Sequence, residues 1–180
     1  MSVPIHLITI GSPERGLFDA IADVVAETFG AHVERRNGRF DLRPSYDPAR
    51  DQYSSRHLLR ALLALTPEPT HVLGVTDVDL FMPILTFVFG EAQLAGRAAV
   101  ISTCRLSPRF YGMPDSIPLL YERSMKEALH ELGHTYGLIH CPDYRCVMNA
   151  SRIVEEIDLK EAEFCGACRV RLGLRWLHRG

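Results

Sequence analysis

Apolar and polar positions follow two rhythms along this chain, one of about two residues and one of about 3.6, and the switches between them mark its elements. Residues 3–11, "VPIHLITIG", form a short apolar run that reads as a buried strand. In "SPERGLFDAIADVVAETFG", Leu17, Ile21, Val24, Val25 and Phe29 share one helical face; Ser12 is placed to cap the start, Pro13 sits early and Gly30 ends the run. "AHVERR" then gives a short strand, and a strand, helix, strand unit implies a parallel sheet.

Residues 40–52, "FDLRPSYDPARDQ", carry Pro, Asp and Ser and predict an exposed loop. "SSRHLLRALLAL" is a second amphipathic helix, closed off by "TPEPT", and "HVLGVTDVDLF" is a further strand with Asp77 and Asp79 near its end. Two such aspartates suit a cation, but strand-end aspartates more often cap turns, and no other ligands accompany them. "TFVFGEAQLAGRAAVIS" places two short apolar runs around "LAGR", which predicts an antiparallel hairpin with one strand at the sheet edge. "PLLYERSMKEALHELGHTYG" is a long amphipathic helix ending at Gly137, and "DLKEAEFCGACRVRLGLRWLHR", from Asp158, predicts a final helix. The pattern is that of an α/β (α+β) protein with a mixed sheet.

Composition narrows the function classes. At 180 residues, 47% hydrophobic, the chain supports one domain with a proper core, since about 150 residues already bury roughly 70% of their unfolded surface. A net charge of -2 offers no basic excess for a phosphate backbone, so nucleic acid is not an expected partner. The first residues lack the charged start and cleavage pattern of a signal peptide, and no apolar stretch reaches the ~20 residues of a membrane helix. A soluble cytoplasmic protein is expected, with a monomer favoured and no room for a pro-domain.

The chemistry concentrates in residues 130–149, "HELGHTYGLIHCPDYRCVMN". His130 and His134 are four apart on a helix, so both imidazoles lie on one face within reach of one ion. Gly137 can take positive φ and turn the chain back, which lets His140 supply a third nitrogen. Three histidines leave the fourth position of a tetrahedral Zn²⁺ open for water, the coordination of a catalytic site. Glu131 sits where a carboxylate reaches that water without being a ligand. A lone histidine on such a helix would read as core; five fixed positions do not.

Of five cysteines, Cys141 and Cys146 flank four residues and Cys165 and Cys168 flank two. Each pair fits the spacing of a closed tetrathiolate zinc site. Two disulfides, or a redox pair Cys165 and Cys168, are the alternatives; a reducing compartment disfavours the first, and the second leaves two thiols without a role. Cys104 reads as a buried apolar residue, with a zinc-blocking thiol as the other option.

"HELGHTYGLIH" followed by Met148 matches the pattern of the metzincin peptidases, H-E-x-x-H-x-x-G-x-x-H with a methionine turn beyond it. With Cys141 directly after the third histidine, then Cys146 and "FCGAC", it resembles the archaemetzincin family, as do "TDVDLF", "FVFGEAQL" and "GRAAVIS". The resemblance runs from about His71 to Cys168, and earlier residues match only in the order of elements. It implies a twisted mixed sheet with an antiparallel edge strand, a backing helix and an active-site helix, one catalytic domain over residues 1–180 made of a sub-domain 1–137 and a C-terminal one 138–180. Met148 would then pack beneath the site, and an extended peptide would pair with the edge strand within residues 87–94. Ala150 stands where some metzincins place a tyrosine ligand, which excludes that switch here.

The resulting expectation is a zinc metallopeptidase that holds two Zn²⁺ per chain and cleaves peptide or protein substrates with Glu131 as general base. A non-catalytic or latent zinc protein that binds peptides or a partner in its cleft is the rival; a hydrolase of non-peptide amides is a third option.

Overall fold

The computed structural model describes residues 3–37 and 40–173. The chain begins with β1 (Ile5–Ile10), α1 (Arg15–Phe29) and β2 (Val33–Asn37). After a 3-10 turn at Arg43–Ser45 come β3 (Tyr46–Asp47), β4 (Gln52–Ser54), α2 (Ser55–Leu65), β5 (His71–Thr76), β6 (Leu80–Phe81), β7 (Gly90–Ala92) and β8 (Ala98–Ser102). A 3-10 turn at Pro108–Tyr111 leads into the long α3 (Ile117–Thr135), followed by the short α4 (Val154–Asp158) and α5 (Gly166–Arg171).

The main sheet has the order β2-β1-β5-β8-β7, parallel throughout except for the antiparallel pairing of β7 with β8. Alternation sorts its side chains between two cores. Ile5, Leu7, Leu73, Val75, Ala99 and Ile101 face α1 and α3, while Ile8, Ile10, Val72, Ala98 and Val100 face α2 through Leu58, Leu59 and Leu62. Helices on both faces bury a mostly parallel sheet, as the sequence pattern requires. The first of these cores extends without a break into Leu138, Val147, Met148, Ile157 and Phe164, so the C-terminal segment is packed against α3 and not beside it.

Three expectations are corrected. Glu14, not Ser12, caps α1: its carboxylate accepts from Gly16 N (3.1 Å) and Leu17 N (2.7 Å), while the Ser12 amide is used by Asp77 at 3.1 Å. Residues 40–52 are not simply a loop, because β3 and β4 pair antiparallel and β4 adds β6 in parallel to make a second, three-stranded sheet. The final helix starts at Gly166 and not at Asp158, and the part of it expected at residues 174–179 lies outside the described residues. Residues 159–164 are drawn out of the helix by pairing with the preceding turn: Glu161 N donates to Arg145 O (2.8 Å) and Val147 N to Glu163 O (2.9 Å). Tertiary hydrogen bonds outweigh helix propensity over so short a run.

α3 ends as predicted at a glycine. Gly137 has φ +89°, its N–H donates to His134 O (2.9 Å) and Leu138 N–H to Gly133 O (3.0 Å), a Schellman closure that turns the chain back under the helix. One turn of α3 lies hard against that returning chain: a Cβ on Gly133 would stand 2.5 Å from Met148 Sδ and 3.1 Å from Phe164 Cε1. Gly133→Val is therefore expected to lower stability by about 1–3 kcal/mol through overpacking, read as a lower midpoint in denaturant; an unchanged midpoint would show that this contact is loose.

Candidate active site and metal centres

The site is built where the C-terminal half of α3 meets the turn around Met148, below the edge strand β7. His130 Nδ1 lies 2.8 Å from Val147 O, and His134 Nδ1 lies 2.7 Å from Leu138 O. A carbonyl only accepts, so both Nδ1 atoms carry the hydrogen and, in the neutral ring, both Nε2 atoms carry a bare lone pair. Those two Nε2 atoms face each other at 3.1 Å. Lone pairs at that distance repel unless a cation lies between them, and two nitrogens about 2.05 Å from a tetrahedral zinc would be about 3.3 Å apart. His140, brought back by the Gly137 turn, completes the cluster with its ring 5.3 Å from His130 and 5.0 Å from His134. One ligand atom from each of the three lies within 4.8 Å of the others.

Electrostatics agree with neutral ligands. Burial lowers the proton affinity of all three imidazoles, that of His130 far below its ordinary value, with Lys160 adding to the effect. Glu131 is buried beside them, and burial, followed by the Glu127 carboxylate, holds it well above the usual carboxylate range while Lys160 opposes the rise. The cleft above encloses about 510 Å³; Met82, Leu85 and Phe87 contribute one wall and Ala150, Ser151 and Arg152 contribute another. Met148 is fully buried beneath α3 and does not belong to the histidine cluster.

The four cysteines form a separate cluster, again within 4.8 Å of one another. Cys141 Sγ lies 3.8 Å from Cys165 Sγ and Cys146 Sγ lies 3.8 Å from Cys168 Sγ. All are free thiols. Four sulfurs about 2.3 Å from a tetrahedral ion stand about 3.8 Å apart, whereas a disulfide brings them to about 2.05 Å. The arrangement fits one closed tetrathiolate ion, and neither two disulfides nor an isolated redox pair. Burial pushes the Cys146 and Cys168 thiols up, so a cation is what would favour their thiolate forms. The two clusters adjoin at the His140 to Cys141 peptide, and Cys141 N–H donates to Met148 O at 2.9 Å.

The remaining sequence candidates fall elsewhere. Asp79 is paired with Arg105 Nε (2.6 Å) and Gln52 Nε2 (2.9 Å), and Asp77 receives the Ser12 amide, so both are engaged by partners distant in the chain and not by a local turn. Cys104 lines a surface depression with Glu14, Asp77 and Asp115, away from the histidine cleft, and burial pushes its thiol up to about 11. Sequence reasoning missed Lys160, Glu127, Gly90 and Gly133. Glu127 had a signal, since it lies four residues before Glu131 on the same helix face. Gly90 is where β7 passes over Glu131: a Cβ there would meet Glu131 Cγ at 2.7 Å and Val100 O at 2.8 Å. Lys160 in a polar stretch gave no signal at all.

The model of Peptidase family M54 matches residues 49–173. The archaemetzincin of Methanocaldococcus jannaschii is 43% identical over 134 residues, covering 74% of this chain and 73% of that protein. The crystal structure of the Methanopyrus kandleri archaemetzincin superposes with a TM-score of 0.85 at 36% identity, over 96% of this chain and 94% of that one. That of a zinc-dependent peptidase from Methanocorpusculum labreanum gives 0.86 at 32% identity, over 93% and 99%.

A Cys165→Ser variant is expected to melt lower by roughly 10 °C or more, because a closed metal site contributes folding free energy directly. Melting equal to the parent would show that the thiol cluster holds nothing together.

Proposed function

The chain belongs to peptidase family M54, the archaemetzincins, and from that premise we propose that His130, His134 and His140 hold its catalytic zinc and that Glu131 is the general base. The protein is a zinc metallopeptidase, a hydrolase of peptide substrates. The observation that carries the site assignment is the pair of bare Nε2 lone pairs 3.1 Å apart, each ring fixed by a carbonyl at its other nitrogen.

Zinc, when bound, supplies a Lewis acid that polarises the scissile carbonyl and brings the pKa of water to about 7. The rest is done by the chain. Glu131, whose proton affinity is raised by burial, accepts the proton of the attacking water and passes it to the leaving amine. Gly90 leaves the space that this carboxylate occupies. β7 has β8 on one side and no strand on the other among the described residues, so its outer edge at Gly90–Ala92 is available to an extended peptide. Val88 just before it is already taken, its N–H donating to Leu80 O at 2.9 Å, so that the 87–94 stretch is open only in part. Backbone pairing of this kind gives affinity with little sequence preference, and the apolar wall of Met82, Leu85 and Phe87 favours a peptide with an apolar side chain.

The second ion proposed is a structural zinc on Cys141, Cys146, Cys165 and Cys168, which makes two Zn²⁺ per chain. Its thiolates need a reducing compartment, in keeping with the cytoplasm. Among the described residues no helix is long and apolar enough to cross a membrane. Each cluster is complete within one chain and needs no ligand from a partner; a monomer, organised as sub-domains 1–137 and 138–180 of one catalytic domain, is part of this proposal.

Glu131→Gln should lower peptide cleavage by about 10²- to 10⁴-fold with both ions retained. The check is mass spectrometry of a peptide library digested by parent and variant; equal turnover would remove Glu131 from the mechanism and a library left intact by the parent would favour a binding-only cleft. His134→Ala should reduce zinc from two to one per chain by elemental analysis, and a variant that keeps both ions would place the catalytic metal elsewhere.

A further inference from the structure

One buried cation beside the cleft has no part in the chemistry above. Lys160 follows α4, its side chain is wholly out of solvent, and its Nζ lies 3.0 Å from Asn149 O, 3.4 Å from Val147 O and 3.3 Å from Glu127 Oε1. An ammonium has three hydrogens to donate, and these three acceptors use them. Apolar packing does not require a charge at this place, and burying one is costly unless it is fully paired.

Its acceptors define what it does. Val147 and Asn149 flank Met148, so two of the three bonds pin the turn under the histidine cluster. Val147 O is also the atom that receives His130 Nδ1–H at 2.8 Å. The third acceptor, Glu127, is buried on α3 one helical turn before Glu131. Lys160 thus ties the Met148 turn to the helix that carries the site, through the carbonyl that orients its first histidine.

We infer that Lys160 is a positioning residue of the histidine site: it holds the Val147 carbonyl in the direction that turns His130 Nε2 toward His134 and His140, and it pairs Glu127 so that α3 and the turn stay in register. The inference rests on the reading of His130 as a zinc ligand. Groups that orient a metal-bound histidine from behind typically contribute ten- to a hundred-fold to metal affinity, which is roughly the size expected here.

The experiment is chelator competition on the full-length, zinc-loaded chain, with the two ions resolved by stoichiometry and peptide cleavage measured alongside. In Lys160→Met the histidine-site zinc should be held about 10- to 100-fold more weakly, with the thiol-site ion unchanged and kcat lowered at constant KM. Because this variant leaves Glu127 buried and unpaired, which destabilises the fold, Lys160→Met combined with Glu127→Gln is measured beside it. A recovered melting temperature with histidine-site zinc still weakly held supports the positioning role. Parental zinc affinity in either variant overturns it, since Lys160 would then serve only to neutralise Glu127. A parent that holds no zinc at its histidines would overturn the ligand reading and this inference together, which separates the two failures.

Discussion

The arrangement around the cleft depends on one hydrogen bond, from His130 Nδ1–H to the carbonyl of Val147 at 2.8 Å. It joins the C-terminal half of α3 to a turn 17 residues further along the chain, and it fixes the tautomer of the ring whose other nitrogen faces the metal position. Met148 can pack beneath α3 because this bond holds its neighbour in place, and Gly133 can have no side chain because Met148 Sδ occupies the space that a Cβ would need. The glycine, the methionine and the carbonyl are three parts of one close approach between a helix and a returning chain.

That approach also explains why two metal-type clusters sit side by side. A segment that returns under a helix has a small core of its own, here Leu138, Val147, Ile157 and Phe164 continuing the main one. The four cysteines close it from the far side: Cys146 directly precedes Val147, and Cys141 N–H bonds to Met148 O, so the thiol cluster reaches the turn both through the chain and across it. Asn149 strengthens the same junction by donating from Nδ2 to Cys141 O at 2.8 Å. A rigid His140 to Cys141 junction is what a third ligand outside the helix needs, because His140 lacks the i, i+4 geometry that places His130 and His134 for free.

Above the helix the sheet performs the complementary task. Parallel β1, β5 and β8 are buried on both faces, and the single antiparallel strand β7 is left at the edge over α3. The turn between β7 and β8 is held to the helix end, where Ala95 N–H donates to His134 O at 2.9 Å. Strand and ligand helix are therefore set at a fixed distance by backbone contacts, with Gly90 admitting the Glu131 side chain between them.

The sequence by itself determined whatever depends on local spacing. The i, i+4 histidines, the glycine that ends α3, the alternation that sorts β1, β5 and β8 between two faces and the short cysteine spacings are all set within a few residues, where chain geometry leaves few choices. Tertiary structure decided whatever depends on partners distant in the chain. Ser12 is not the α1 cap because the helix begins at Arg15, which puts Glu14 at the cap position and leaves Ser12 two residues before it, where its amide donates to Asp77; residues 159–164 left the final helix because Arg145 and Val147 offered hydrogen bonds. Lys160 became the most enclosed charge at the site because Glu127, Val147 and Asn149 converge on it from two other segments. Periodicity records which face of an element is buried, but the acceptors that make a buried charge tolerable come together only when the chain folds.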